Sequence, residues 1–232
     1  MNRAIVLSSG GIDSTTCLAM AVKEYGAENV VSVSVLYGQK HAKEKECAAK
    51  VAEFYGVEHR IIDISTLGIF TGSTCTLLAD NAESVAQGTY AEQVSEGMSS
   101  IVSTYVPFRN GLMVSLIASM AMSIFPEDSI RIYLGAHADD TLGYAYADCS
   151  YDFIRVMNDA IFMGTYGKVN VRAPLIRMSK AEVVAKGIEL EAPYELTWSC
   201  YEGGETPCGA CATCLDRAKA FEANGIDDPA LA

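Results

Sequence analysis

Residues 8–16 read SSGGIDSTT, between the apolar run Ala4–Leu7 and the apolar-patterned CLAMAVKEY at 17–25. A glycine pair between a strand and a helix lets the backbone turn sharply and approach an anion closely. The amides of the loop and of the opening helical turn then point at that anion, and the helix dipole adds partial positive charge. Ser9 and Ser14 can add hydroxyl donors. The lysine that follows the last glycine of a Walker-type loop is missing. Asp13 stands close by instead, suited to be a helix N-cap or a magnesium ligand. A bare glycine pair would read as a simple capped turn. The full string reads as a phosphate cradle, made by Leu7, Ser8, Ser9, Gly10, Gly11, Ile12, Asp13, Ser14 and Thr15.

A second group with chemical spacing lies near the C-terminus. CYEGGETPCGACATC places Cys200, Cys208, Cys211 and Cys214 in the pattern C-x7-C-x2-C-x2-C. Four thiolates can surround one Zn²⁺ and leave no position for water, so such a zinc would be structural. A C-x2-C-x2-C run also occurs in iron–sulfur proteins, which keeps a cluster as the other occupant. The remaining cysteines, Cys17, Cys47, Cys75 and Cys149, are scattered, so the pattern speaks for metal rather than a disulfide framework.

The elements that must position these residues alternate. Strand patterns cover Ala4–Ser8, Val30–Tyr37, Arg60–Ile64, Ile130–Gly135 and Val169–Ala173. Helical patterns cover Ser14–Tyr25, His41–Phe54, Asn110–Ser123, Asp152–Met163 and Cys211–Asn224. A further helix starts at Ser179, where Glu182 completes a capping box. This alternation predicts an α/β fold: an open, Rossmann-like parallel sheet with helices on both faces. Residues 1–196 read as the nucleotide-binding α/β domain, and 197–232 as a metal-binding segment packed on it. Residues 65–105, rich in Thr, Ser, Gly and Ala, read as a long loop that serves as a lid or a dimer contact.

Ligands bind such sheets beyond the carboxyl ends of the strands. Tyr37 and Gln39 follow the second strand pattern there, and His137, Asp139 and Asp140 follow a later one. Asp139, Asp140 and Asp148 are candidates to bind a metal or to read the N–H groups of a purine-like base. Arg109 and Asn110 follow the strand-like TYV at 104–106 and open a helix. Arg109, Lys168, Arg172, Arg177 and Lys180 can offset anionic charge. Lys180 in a first helical turn opposes the dipole, which calls for an anion nearby.

The chain has 232 residues, half of them hydrophobic, and a formal net charge of −12. That charge argues against a nucleic-acid partner, which needs a basic face. No apolar stretch approaches the ~20 residues of a membrane span, and the N-terminal apolar run is too short for a signal peptide. The expectation is a cytoplasmic protein.

The string SGGIDS resembles the signature of the PP-loop ATP pyrophosphatases, which adenylate an oxygen and release pyrophosphate. Further strings are LYGQKH at 36–41, TYVPFRN at 104–110, GAHADD at 135–140, YADC at 146–149, APLIRMSKAE at 173–182 and TWSCY at 197–201. With the cysteine spacing they resemble the 7-cyano-7-deazaguanine synthases of queuosine and archaeosine biosynthesis, over nearly the whole chain. The resemblance implies a carbon–nitrogen ligase acting on 7-carboxy-7-deazaguanine, ATP with Mg²⁺, and ammonia. Adenylation would precede amide formation, and a second adenylation would precede elimination to the nitrile. No glutaminase portion is visible, so free ammonia is the implied nitrogen donor. The resemblance also implies a homodimer, a pyrophosphate-binding role for Lys180, catalytic roles for Asp13, Arg109 and His137, and substrate binding by Arg109, Asn110, Asp140 and Asp148. Two departures from the family pattern fall in strings expected on the substrate side: Ala147 stands where that family has proline, and Phe108 where a small residue is common. A relative that passes the activated deazaguanine to another nucleophile stays open beside this reading. So does a nucleotide-binding module without turnover.

Overall fold

A parallel strand covered on both faces can be apolar throughout. The run Ala4–Val6 meets that description, with every residue fully buried. The computed structural model describes residues 1–40, 43–89, 92, 102–140 and 146–231. It places β1 (Asn2–Leu7) at the centre of a five-stranded parallel sheet. β2 (Val30–Leu36) and β3 (Glu58–Asp63) lie on one side, β4 (Ser129–Tyr133) and β5 (Val169–Arg172) on the other. Ile5 faces Val31 on one neighbour and Ile132 on the other.

The helices are α1 (Ile12–Tyr25), α2 (Lys43–Phe54), α3 (Arg109–Ile124), α4 (Tyr151–Gly164), α5 (Lys180–Glu189) and α6 (Ala212–Ala223). One face of the sheet packs Ile5, Val33 and Ile132 against Val114 and Ile117 of α3 and Ile154 and Ile161 of α4. The other packs Ala4 and Val6 against Leu18 of α1, Val51 of α2, Val183 of α5 and Phe221 of α6. The expected sheet with helices on both faces is therefore present. Among the described residues no helix is long and apolar enough to cross a membrane.

The strand order turns around at β1: the chain leaves it toward β2 and returns on its far side as β4. That reversal opens a crevice at the carboxyl ends of the strands, where ligands bind in such sheets. Two expectations shift. α1 begins at Ile12 rather than Ser14, because Gly11 takes the N-cap position. TYV at 104–106 forms no strand, since Pro107 follows and β5 already occupies the sheet beyond β4. The expected start of α2 at His41, where LYGQKH ends, lies outside the described residues, as do 90, 91 and 93–101 of the long loop.

The described part of that loop packs on the cysteine segment. Cys75, Leu77, Leu78 and Val85 share a buried cluster with Cys200, Cys211 and Cys214. Gly88 donates its amide to the Ala210 carbonyl at 3.1 Å.

Behind that segment sits a buried arginine. Arg217 on α6 and Asp228 have side chains only 7% and 6% exposed, and pair through Nε and Nη2 at 2.5 and 2.8 Å. Arg217 Nη1 also donates to Thr197 Oγ1 at 2.9 Å and to Ser199 Oγ at 3.2 Å. The guanidinium thus anchors the strip that carries Trp198. Removing one partner strands the other charge in the interior, so Asp228→Ala should cost about 3–5 kcal/mol. Urea unfolding should show a lower midpoint at unchanged slope. A loss below ~1 kcal/mol, the range of solvated pairs, would show that the guanidinium finds water instead.

Candidate active site

The loop begins where β1 ends, and β2 holds it there. Ser8 donates its amide to the Val33 carbonyl at 2.8 Å. The Ser34 hydroxyl donates to the Ser8 carbonyl at 2.7 Å, and the Ser32 hydroxyl to Ser8 Oγ at 2.8 Å. These serines are polar positions of the alternating strand VVSVSVL, and they are buried because the loop folds over them. Gly10 then turns with φ of +83°, and a Cβ there would lie 2.2 Å from the Glu44 carbonyl oxygen of α2. From the other side, Trp198 donates its amide to the Gly10 carbonyl at 2.9 Å.

Gly11 caps α1 without any side-chain hydrogen bond. The first-turn amides are therefore left for an anion, as a phosphate cradle requires. Asp13 is not the N-cap that the sequence allowed. It lies inside the helix, and its carboxylate is taken by Lys180 Nζ at 2.6 and 2.7 Å. Ser9 and Ser14 brace each other, with their hydroxyl oxygens 3.2 Å apart.

Lys180 comes from the start of α5, behind the expected capping box of Ser179 and Glu182. Its amide donates to Asp139 at 2.7 Å, and its Nζ lies 3.5 Å from His137 Nε2. His137 Nε2 is 3.3 Å from Asp140 Oδ1 and 3.8 Å from Asp13 Oδ2, while Nδ1 is buried without a hydrogen-bond partner among the described residues. Gly135 permits this convergence: a Cβ there would press within 3.1 Å of Asp13. Burial alone would raise the Asp13 carboxyl, but the charges of Lys180 and His137 outweigh it and hold the group below its ordinary value. Asp140 shifts the other way, raised by burial and by the neighbouring Asp13 charge against the pull of His137.

These groups line a cavity of about 250 Å³. Leu7, Ser8, Ser9, Gly11, Ile12, Asp13, Ser14, Tyr37, Gln39, Arg109, Asn110, His137, Asp140 and Lys180 all reach it. Gly10, Thr15 and Asp148 do not. Gly10 is backed by α2, and Thr15 points into the core with 2% exposure. Asp148 accepts the Asn110 amide at 2.9 Å and so satisfies the start of α3. Arg109 reaches the Tyr37 hydroxyl at 3.3 Å. Gln39 accepts the Tyr37 amide at 2.8 Å and braces the exit of β2.

Of the five candidate cations, Arg109 and Lys180 line the cavity. Lys168 is bound to the Pro126 carbonyl, Arg172 pairs with Glu24 at 3.2 Å, and Arg177 lies over the Tyr151 ring. Phe108 and Ala147 are not part of the lining either. Phe108 instead packs edge-on against Phe153 of α4.

Sequence reasoning missed Glu44, Trp198, Ser199 and Asp216, all in the lining. Trp198 and Ser199 lay within TWSCY and could have been found there. Glu44 lies on a charged helix, and Asp216 lies two residues beyond Cys214 among charges, so neither stood out.

The sulfurs of Cys200, Cys208, Cys211 and Cys214 lie within 4.8 Å of one another. A tetrahedral Zn²⁺ with Zn–S of ~2.3 Å sets sulfurs about 3.8 Å apart, so the four fit one ion. Amides of Cys208 and Cys211 donate to Cys200 Sγ and Cys208 Sγ, each at 3.3 Å. None of the four lines the cavity. They are tied to it through Trp198, whose Nε1 donates to the Cys200 carbonyl at 2.9 Å.

Comparison with known proteins adds to this geometry. The family model described as queuosine biosynthesis protein QueC matches residues 3–225. A 7-cyano-7-deazaguanine synthase of Archaeoglobus fulgidus is 40% identical, covering 99% of this chain and 90% of that protein. One from Caldicellulosiruptor saccharolyticus is also 40% identical, covering 98% and 94%. Among solved structures, an NMN synthetase from Francisella tularensis superposes with a TM-score of 0.49 at 12% identity, covering 97% of this chain and 78% of that one.

Lys180→Met should expose the role of the central ion pair. The folded Asp13 carboxyl is held below its ordinary 3.8. The stability it contributes is therefore present above that pH and lost as pH falls through the folded value. Wild type should be more stable than the variant in urea at neutral pH, and the gap should close below pH 3.8. A gap that persists in acid would show that the lysine stabilises by packing rather than by charge.

Proposed function

The chain belongs to the family of the queuosine biosynthesis protein QueC, and on that premise we propose that it converts 7-carboxy-7-deazaguanine and ammonia to 7-cyano-7-deazaguanine at the expense of ATP. The observation that carries this is the uncapped first turn of α1 facing Lys180 in the same cavity as Arg109. The reaction needs two anions, a triphosphate and a carboxylate, held against each other, and fixed cations and amides do this without reorganising.

The loop amides with Ser9 and Ser14 bind the departing pyrophosphate, and Lys180 supplies its countercharge. Arg109 orients the carboxylate of the deazaguanine. The acid oxygen attacks the α-phosphorus, and pyrophosphate leaves. Ammonia then displaces AMP to give the amide, and a second adenylation on the amide oxygen allows elimination to the nitrile. Asp13, Asp140 and Asp216 line the cavity and are the residues that would hold Mg²⁺, which offsets phosphate charge. His137 positions Asp140 and Lys180 at hydrogen-bond range. The departures at Phe108 and Ala147 lie outside the lining, so they leave the substrate reading intact.

The four cysteines would hold one structural Zn²⁺, which fixes the strip that clamps Gly10. A second copy of the chain would cover the exposed apolar side chains of Tyr151, Val156, Phe162, Met163 and Tyr166 on and after α4. With that homodimer, the cytoplasm suits eight unpaired cysteines.

Incubation with 7-carboxy-7-deazaguanine, ATP, Mg²⁺ and ammonium should yield the nitrile with AMP and pyrophosphate. ADP and phosphate as products would rule the mechanism out. For the metal, Cys211→Ser should lose bound zinc and folded protein together, read by metal analysis and thermal unfolding. Iron with acid-labile sulfide, or full stability with lost turnover, would mean a redox or catalytic cluster instead.

A further inference from the structure

Ammonia in neutral water is mostly ammonium, which has no lone pair. An enzyme that uses it must bind the cation and take a proton from it. Asp13 is occupied by Lys180, and Asp140 by His137. Asp216 faces Lys180 and Lys219 and is one of the carboxylates that would hold Mg²⁺. Glu44 differs from all three. It lines the cavity, and among the described residues its carboxylate has no hydrogen bond or ion pair. Its backbone is pressed against Gly10 of the phosphate loop. Its side chain feels the charge of Arg109 without pairing to it. The carboxylate therefore shares the cavity with the phosphate loop and with Arg109.

Resting on the function proposed above, we propose that Glu44 is the ammonium site: its carboxylate holds NH₄⁺ in the cavity and accepts the proton lost before nitrogen attacks the adenylate. Ammonium gives one proton to the carboxylate, and the freed lone pair forms the C–N bond. The C–O bond to AMP then breaks, AMP keeping its electron pair, and the nitrogen sheds a second proton to water. The carboxyl returns its own proton to water to close the cycle.

The surroundings suit this task. Burial pushes the Glu44 carboxyl up to about 7, with Arg109 pulling the other way. A base with that value is well matched to neutral pH. The titratable groups facing it are Arg109 from α3, Tyr37 at the end of β2 and Cys47 on its own helix. Lys43 is turned away, with its Nζ on the Glu205 carbonyl and over the Trp198 ring.

The test separates the two halves of the reaction. ATP–pyrophosphate exchange with 7-carboxy-7-deazaguanine needs no ammonia, and hydroxylamine attacks as a neutral amine that needs no deprotonation. Glu44→Gln should keep exchange and hydroxamate formation, while amide formation from ammonium falls by about 10²–10⁴-fold. An equal loss with both nucleophiles would overturn the proposal, as would ammonia use at wild-type rate. Loss of exchange with a raised KM for the acid would also overturn it, by showing that Glu44 reads the base. Wild type that shows no exchange at all would instead remove the function on which the proposal rests.

Discussion

The close approach of Gly10 to α2 is the contact on which the site depends. No side chain fits there, because a Cβ would collide with the backbone oxygen of Glu44. The absence of that one atom lets the loop sink between β1 and α2. Trp198 then locks it by a backbone hydrogen bond from the opposite side. A loop held on both sides presents its amides in one geometry, and preorganised donors are what a developing phosphate charge requires.

The cysteine segment follows from the same constraint. Trp198 can hold Gly10 only if its own strip is fixed. That strip is short, lacks regular structure apart from one 3₁₀ turn, and has little core of its own. It is fixed at one end by the buried Arg217–Asp228 pair and at the other by the cysteine cluster. The four cysteines that could hold a metal thus stand outside the cavity, while Trp198, Ser199, Tyr201 and Thr213 beside them line it. The described part of the 65–105 loop covers that arrangement rather than hanging free.

Charge is arranged around the cavity in alternation. Asp13 and Lys180 neutralise one another, so the partly buried lysine does not stand alone. His137 links them to Asp140, and the two carboxylates are driven apart in acidity by their different neighbours. Arg109 and Glu44 also face the cavity and feel each other's charge without pairing. The overall charge of −12 is therefore compatible with a site for anions, because the few cations that matter are inside.

Much of this was legible in the residues alone. The apolar runs and their spacing determined the parallel sheet, because period and length depend only on local pattern. SGGIDS and the cysteine spacing pointed to the loop that lines the cavity and to the four sulfurs that converge, since each is built from residues near one another in the chain. Tertiary structure decided which distant charges meet. Asp13 could have capped its helix, and only the arrival of α5 turned it toward Lys180. Asp148 looked free for a ligand, but the fold spends it on the start of α3. Glu44 carried no signal at all, because an acidic residue on a charged helix is ordinarily solvated. It gains a distinct environment only when α2 packs against Gly10 and partial burial raises its carboxyl.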